Sequence, residues 1–245
     1  MSTFSFKRFS VVNEHSAMKV GTDGVLLGAA VCIDGAMCHV LDVGTGTGTI
    51  ALMLAQRLSD AGSAQFSITG IDIDGPSAEE AGANFTASPW AAHLQACLKP
   101  LQQYVPAEPV DLIVSNPPYF DNSLQAEGER RNSARHTEVP SQGGESLSYR
   151  DLAVFASAHL SPSGRLSLIL PSDQEHALVR CMASYSLYMR RIMRIRTTQR
   201  KPVCRIVAEF GRIRTVPVEE FLTIQDGGAY TPEYLALTHE FYLFA

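Results

Sequence analysis

An α/β fold, a mostly parallel sheet with helices on both faces, is predicted by three observations. Apolar runs alternate with helix-patterned segments along the chain, three glycines at alternate positions follow the first core run, and a carboxylate ends the second. The first strand is expected over Cys38–Val43, with a helix from Ile50 to about Leu58 behind it. Phe66–Ile73 reads as the second strand, and Pro76 opens an Ala-rich helix reaching Phe85. His93–Cys97 is a weaker third strand and Val110–Ser115 a strong fourth, its apolar run matching a strand buried on both faces. Leu147–Leu160 carries a helical pattern. Gly164–Leu170 is a fifth strand stopped by Pro171, and Asp173 can cap a helix running to about Ser184. Tyr185–Arg196 and Val203–Phe210 read as two long strands joined by a polar turn near Gln199–Pro202, which brings the sheet to seven.

A chain of 245 residues, 45% hydrophobic, is long enough for one sizeable core, so a single domain is expected. Residues 1–36 form its N-terminal appendage: a strand or hairpin within Phe4–Asn13, then a helix from Thr22 or Asp23 to Val31. Residues 37–211 form the core and 212–245 a tail. The stretch 120–147 lacks apolar periodicity, and a loop of that length in a compact domain reads as a mobile segment that engages substrate. No run of about eighteen apolar residues and no secretory h-region is evident, which points to the cytoplasm rather than a membrane. Cys32, Cys38, Cys97, Cys181 and Cys204 are odd in number and show no C-x-x-C pair, so neither a metal site nor a disulfide framework is expected.

The formal net charge of −5 argues against indiscriminate polyanion binding. Charge is nevertheless uneven. Between Ser186 and Arg214 lie nine Lys and Arg residues opposed only by Glu209, which allows a local basic face.

Val40–Thr49 places Gly44, Gly46 and Gly48 where a strand turns into a helix, a position at which backbone must pass close to a ligand. The spacing is G-x-G-x-G, not the dinucleotide G-x-G-x-x-G, and the Lys-Ser/Thr of a P-loop is absent, so nicotinamide and ATP sites are disfavoured. Asp72 ends the second strand, where its carboxylate can accept hydrogen bonds from both hydroxyls of a ribose. Asn116-Pro117-Pro118-Tyr119 follows the fourth strand. The Asn116 amide oxygen and the Pro117 carbonyl can accept the two N–H bonds of a planar amino group, with Tyr119 stacking on the ring that carries it and Phe120 walling the pocket.

Asp42 with the three glycines, followed by Asp72, resembles the class I S-adenosylmethionine-dependent methyltransferases. That resemblance implies a Rossmann-like fold and a cofactor set of Thr22, Asp42, Gly44, Thr45, Gly46, Gly48, Asp72, Ile73, Leu101 and Asn116. In it the glycine loop lines the methionine part, Asp72 holds the ribose and Ile73 packs on adenine. The acidic residue that often follows the third strand is missing; Lys99-Pro100-Leu101 stands there, and backbone near Leu101 takes its place. The Asn-Pro-Pro-Tyr string resembles the motif of enzymes that methylate adenine N6, guanine N2 or glutamine amides.

Phe4–Phe9, Met18–Gly28, Ser133–His136 and the Tyr230–Phe244 tail narrow the likeness: over nearly its whole length the chain resembles the bacterial tRNA1(Val) adenine-N6 methyltransferases. The resemblance implies a catalytic set of Asn116, Pro117 and Tyr119, tRNA as partner without an obligate protein partner, and the adenine immediately 3′ of the anticodon as target. The Met18–Gly28 stretch implies that Thr22 or Asp23 closes over the cofactor. Pro118, Phe120, Arg130, Arg131, Arg135, Arg194 and Arg200 are then expected to meet RNA. The competing readings are methylation of rRNA guanine N2 or of a protein glutamine, a cofactor-binding regulatory protein without catalysis, and a nucleotide-dependent oxidoreductase.

Overall fold

The computed structural model describes residues 2–16, 18–63, 65–118 and 147–243. The expected N-terminal hairpin pairs β1 (Thr3–Ser5) with β2 (Ser10–Val12). Its aromatic side chains make it an anchor, with Phe6 stacked on Phe9 at 4.6 Å and on Tyr242 at 6.2 Å between ring centroids. Helix α1 (Thr22–Ala30) follows and packs on α2 (Thr49–Asp60). Gly28 allows that approach, since a Cβ there would lie 2.8 Å from Met53 Sδ. The helix starts at Thr22, as expected, with Gly21 as its N-cap.

The apolar runs form the central strands β3 (His39–Val43), β4 (Ser67–Asp72), β5 (Leu94–Leu98), β6 (Val110–Ser115) and β7 (Leu160–Pro171), paired in parallel in the order β5-β4-β3-β6-β7. Helix α3 (Gly75–Thr86) lies between β4 and β5 in the chain, with Pro76 in its first turn and Asp74 accepting from Ser77 N at 3.0 Å as its cap. Helix α4 (Tyr149–His159) starts at a capping box made by Ser148 and Asp151. Helix α5 (Glu175–Ser184) has no side-chain cap; Asp173 sits in the 3-10 turn Ser172–Gln174 ahead of it.

Strand β8 (Tyr188–Thr198) begins three residues later than its sequence pattern predicts because Ser186, at φ 59°, turns the chain after α5. With β9 (Arg205–Gly211) it completes the seven expected strands. The sheet then continues into the expected tail: β10 (Val218–Asp226) pairs in parallel with β8, and β11 (Ala229–Tyr230) pairs antiparallel with β10. Among the described residues the sheet therefore has nine strands, ordered β11-β10-β8-β9-β7-β6-β3-β4-β5. The chain closes with α6 (Pro232–Thr238), capped by Thr231. Two apolar clusters fill the two faces of the sheet. None of the described helices is long and apolar enough to cross a membrane.

Strand order reverses between β3 and β6, so their carboxyl ends splay the following loops apart and open a crevice. Gly44–Gly48 leaves β3 and Asn116 leaves β6. Val43 and Ser115 are register partners, and Ser115 Oγ donates to the Val43 carbonyl at 2.7 Å, which fixes the two loops side by side.

Candidate active site

The three glycines do three different things. All have positive φ: 71° at Gly44, 55° at Gly46 and 80° at Gly48. A Cβ on Gly44 would meet nothing within 4 Å, so bare backbone there faces open crevice. Gly46 faces the N-terminal segment, where a Cβ would lie 3.6 Å from the Met18 carbonyl, and its N–H donates to Asp72 Oδ2 at 2.9 Å. Gly48, expected in the cofactor cradle, is instead required by packing, since a Cβ would sit 2.4 Å from Phe85 Cε1.

Asp42, also expected to contact cofactor, lies fully buried behind the loop, where its Oδ2 accepts from Thr45 Oγ1 at 2.7 Å. It positions the loop. Burial pushes its acid up to about 7, against the opposing hydrogen bonds from Thr45 and Ala51, with nearby Asp72 adding to the rise. A folded-state value above the unfolded one means that folding takes up a proton between about pH 4 and 7, so this residue costs stability as pH rises through that window. Relative to Asp42→Asn, the wild-type protein is expected to lose stability from pH 4 to 7, on the order of 4 kcal/mol at most. Urea midpoints at several pH values check this; parallel profiles would contradict it.

Two cavities meet over the loop. One, of about 490 Å³, runs beside Thr22, Asp23, Thr45, Thr47 and Thr49. The other, of about 280 Å³, runs beside Asp72, Ile73, Lys99, Leu101 and Leu147. Met18, Gly44, Gly46, Asn116, Pro117 and Pro118 line both, so the junction lies where β3 and β6 end. Asp72 spends one lone pair of each oxygen on Gly46 N–H and Asp74 N–H, at 2.9 and 3.0 Å, and keeps capacity for two further donors. Ile73 stays 55% exposed on the cavity wall, and Leu101 is buried beside it. At the junction Asn116 Nδ2 lies 3.3 Å from Met18 Sδ, while Asn116 Oδ1 is buried with no hydrogen-bond partner among the described residues. A buried orphan acceptor costs free energy unless something else meets it. Pro117 is buried and Pro118 exposed.

Residues 16–131 match the methyltransferase small domain model. A tRNA1(Val) (adenine(37)-N6)-methyltransferase of Photobacterium profundum is 36% identical over 98% of this chain and 98% of its own length. Its counterpart in Porphyromonas gingivalis is 42% identical over 98% of this chain and 94% of its own. The chain belongs to the tRNA1(Val) (adenine(37)-N6)-methyltransferase family. Among solved structures, a predicted O-methyltransferase from Agrobacterium tumefaciens aligns with a TM-score of 0.64 at 19% identity, covering 88% of this chain and 95% of that one. A methyltransferase from Pyrococcus furiosus aligns at 0.58 and 17%, covering 82% and 89%. At such identities the two show the class I methyltransferase fold alone.

S-Adenosylmethionine is the cofactor of this methyltransferase family, and the crevice fits it. Bare backbone at Gly44, spare acceptor capacity on Asp72 beside the apolar wall of Ile73 and Leu101, and hydroxyl-bearing Thr22, Thr45, Thr47 and Thr49 in the adjoining cavity match a ribose, a planar base and an amino-acid group. Sequence reasoning missed the segment preceding α1 as part of this site. Met18 was legible there only as a letter in a family signature, because nothing local reports that the chain crosses back over the glycine loop.

The tRNA1(Val)-methyltransferase resemblance placed seven residues against RNA, and the structure separates them. Tyr119, Phe120, Arg130, Arg131 and Arg135 lie outside the described residues, as does all but the end of the expected 120–147 loop. Arg194 is engaged on every side: Nη1 and Nη2 donate to Glu175 at 2.6 and 3.0 Å, and Nε donates to Glu219. Those bonds raise its pKa and leave it a poor phosphate ligand. Arg191 is likewise tied to Glu209 and Glu220. Arg200, together with Lys201, is exposed on the β8–β9 turn.

Proposed function

We propose that this protein transfers a methyl group to the exocyclic N6 of an adenine in tRNA, the adenine immediately 3′ of the anticodon of tRNA1(Val). The observation that carries the reading is that Asn116, which lines both cavities, keeps a buried Oδ1 without a partner among the described residues, an acceptor in want of an N–H donor. S-Adenosylmethionine supplies an electrophilic methyl group when bound in the crevice, with Asp72, Ile73 and Leu101 around its adenosine and the glycine loop with Thr22 and Thr45 around its methionine part.

The chain's own residues address the other reactant. An adenine amino nitrogen is a poor nucleophile because its lone pair is delocalised into the ring. Asn116 Oδ1 and the Pro117 carbonyl take its two N–H bonds, which orients the lone pair toward the methyl donor, favours the pyramidal nitrogen of the transition state and stabilises the positive charge developing there. Tyr119 and Phe120, outside the described residues, are assigned by the family resemblance to stacking on the extruded base and to walling the pocket. Positioning supplies much of the acceleration, and no general base is required: the methylated cationic nitrogen is strongly acidic and its proton leaves to water.

Topology supports an RNA path. Strand β9 is antiparallel to both β7 and β8, so β8 runs with β3 and β6, and its far end lies on the same edge of the sheet as Gly44 and Asn116. Arg200 and Lys201 sit just beyond that end. Arg190 and Arg214 belong to the opposite edge, where Arg214 stacks over Tyr188 at 5.2 Å. Arg200 and Lys201 are thus placed to meet tRNA phosphates; Arg130, Arg131 and Arg135, outside the described residues, are assigned to the same task by the family resemblance alone. The double change Arg200→Glu, Lys201→Glu is expected to weaken tRNA binding and to flatten the slope of log affinity against log salt by about 1.5, the share of two phosphates. An unchanged slope would reject this surface.

The reading is tested with the purified protein. S-Adenosylhomocysteine, and not NAD, should raise its melting temperature, and labelled methyl should pass into total tRNA. Label in a protein fraction, or stabilisation by NAD alone, would overturn it.

A further inference from the structure

Met18 lines both cavities, yet the chemistry above gives it no task. Its backbone is held firmly. Glu80 accepts from the N–H groups of Glu14, His15 and Ser16 at 2.8, 2.7 and 3.2 Å, and Ser16 Oγ donates to the Met18 carbonyl at 3.1 Å. On the other side, Lys19 Nζ donates to the carbonyls of Asn13 and Glu14 at 3.1 and 2.7 Å, and Val20 N–H donates to Asn13 Oδ1 at 3.3 Å. The side chain so presented is 42% exposed, so filling the core is not its role. Its Sδ stands 3.3 Å from Asn116 Nδ2, and the oxygen of that same amide is the buried atom without a partner. The opposite amide orientation would set oxygen lone pairs against sulfur lone pairs.

We propose that Met18 is a positioning residue for Asn116: its thioether takes one N–H of the amide and so fixes which way the amide lies, leaving the unpartnered oxygen as the acceptor for the target amino group. The inference rests on the adenine-N6 reading and deepens it. An inverted amide would aim its N–H bonds at those of the amino group and lose the hydrogen bond that orients the amino nitrogen toward the methyl donor. A thioether suits the task because it is a weak acceptor. It satisfies the Asn116 N–H without competing for the two N–H bonds of the substrate, as a carboxylate or carbonyl at the same place would. Its unbranched chain can also adjust to an entering base while the anchored backbone stays in place.

Two variants test this. Met18→Leu keeps volume and apolarity but removes the acceptor; Met18→Gln restores an acceptor on a chain of similar length. Met18→Leu is expected to lower kcat for tRNA about tenfold while the KM for methyl donor and the Kd for S-adenosylhomocysteine stay within about twofold, and Met18→Gln, whose carbonyl restores an acceptor but also competes for the substrate's N–H bonds, to recover only part of the loss. Without RNA, the side-chain amide NMR signals of Asn116, identified by their disappearance in Asn116→Ala, should shift in Met18→Leu. Wild-type kcat with unmoved amide signals overturns the proposal. So does a loss of cofactor affinity matching the loss of rate without rescue by Gln, which marks a packing role. Should the wild-type protein methylate no tRNA, the adenine-N6 reading falls, while the Asn116 signals still decide whether Met18 sets the amide.

Discussion

Replacing Asn116 by Ala is expected to slow methyl transfer to tRNA by about a hundred- to a thousandfold while S-adenosylhomocysteine binds within about threefold of its wild-type affinity. The two effects separate because of where the residue stands. Asn116 borders both cavities; its amide nitrogen donates to Met18 Sδ, and its oxygen is buried with no partner among the described residues. Removing the side chain therefore takes away an acceptor that matters only when an amino group must be oriented and its developing charge stabilised. Ser115, which ties β6 to β3 through the Val43 carbonyl, is untouched, so the loop should keep its course. Single-turnover rates with tRNA and calorimetric titration with S-adenosylhomocysteine measure the two halves. Retained turnover would remove Asn116 from the chemistry; equal losses in both would make it a cofactor ligand only.

Asp72→Ala should fail in the complementary way, with S-adenosylhomocysteine binding weakened by roughly a hundredfold or more. The Asp72 carboxylate accepts the N–H groups of Gly46 and Asp74, which orders the glycine loop against the start of α3, and it retains acceptor sites facing the second cavity. Hydrogen bonds to a charged group contribute about 1.5 to 3 kcal/mol each, and losing two toward a ribose corresponds to at least about 3 kcal/mol. Asp72→Asn, which keeps an oxygen but loses the charge, should lie between. Calorimetry on the three proteins orders them. A Kd for Asp72→Ala within about threefold of wild type would exclude the carboxylate from cofactor binding.

How much of this was legible in sequence depends on whether the physical cause was local. Val110–Ser115 and His39–Val43 are sandwiched between helices, so each reads as an apolar run, and the turn residues that follow mark the crevice. Val218–Asp226 is different. It lies beside the edge of the sheet with Val218, Glu219 and Phe221 exposed, its alternation is broken by paired glutamates, and the segment reads as tail instead of strand. The three loop glycines are indistinguishable as letters; only the Phe85 ring, brought in by α3, separates Gly48 from Gly44. Arg194 reads as a phosphate ligand because Glu175 and Glu219, which neutralise it, arrive from elements 19 and 25 residues away. Likewise Asp42 resembles a cofactor ligand until its complete burial behind Thr45 is seen.

The most direct test of the central claim is to incubate the protein with labelled methyl donor and total RNA from a bacterial strain lacking this gene, digest the RNA, and locate the modified nucleoside. N6-methyladenosine immediately 3′ of the anticodon of tRNA1(Val) is the predicted result if the two proposed acceptors at the end of β6 present an adenine amino group to the crevice. N2-methylguanosine, or label recovered only in protein glutamine, would contradict it.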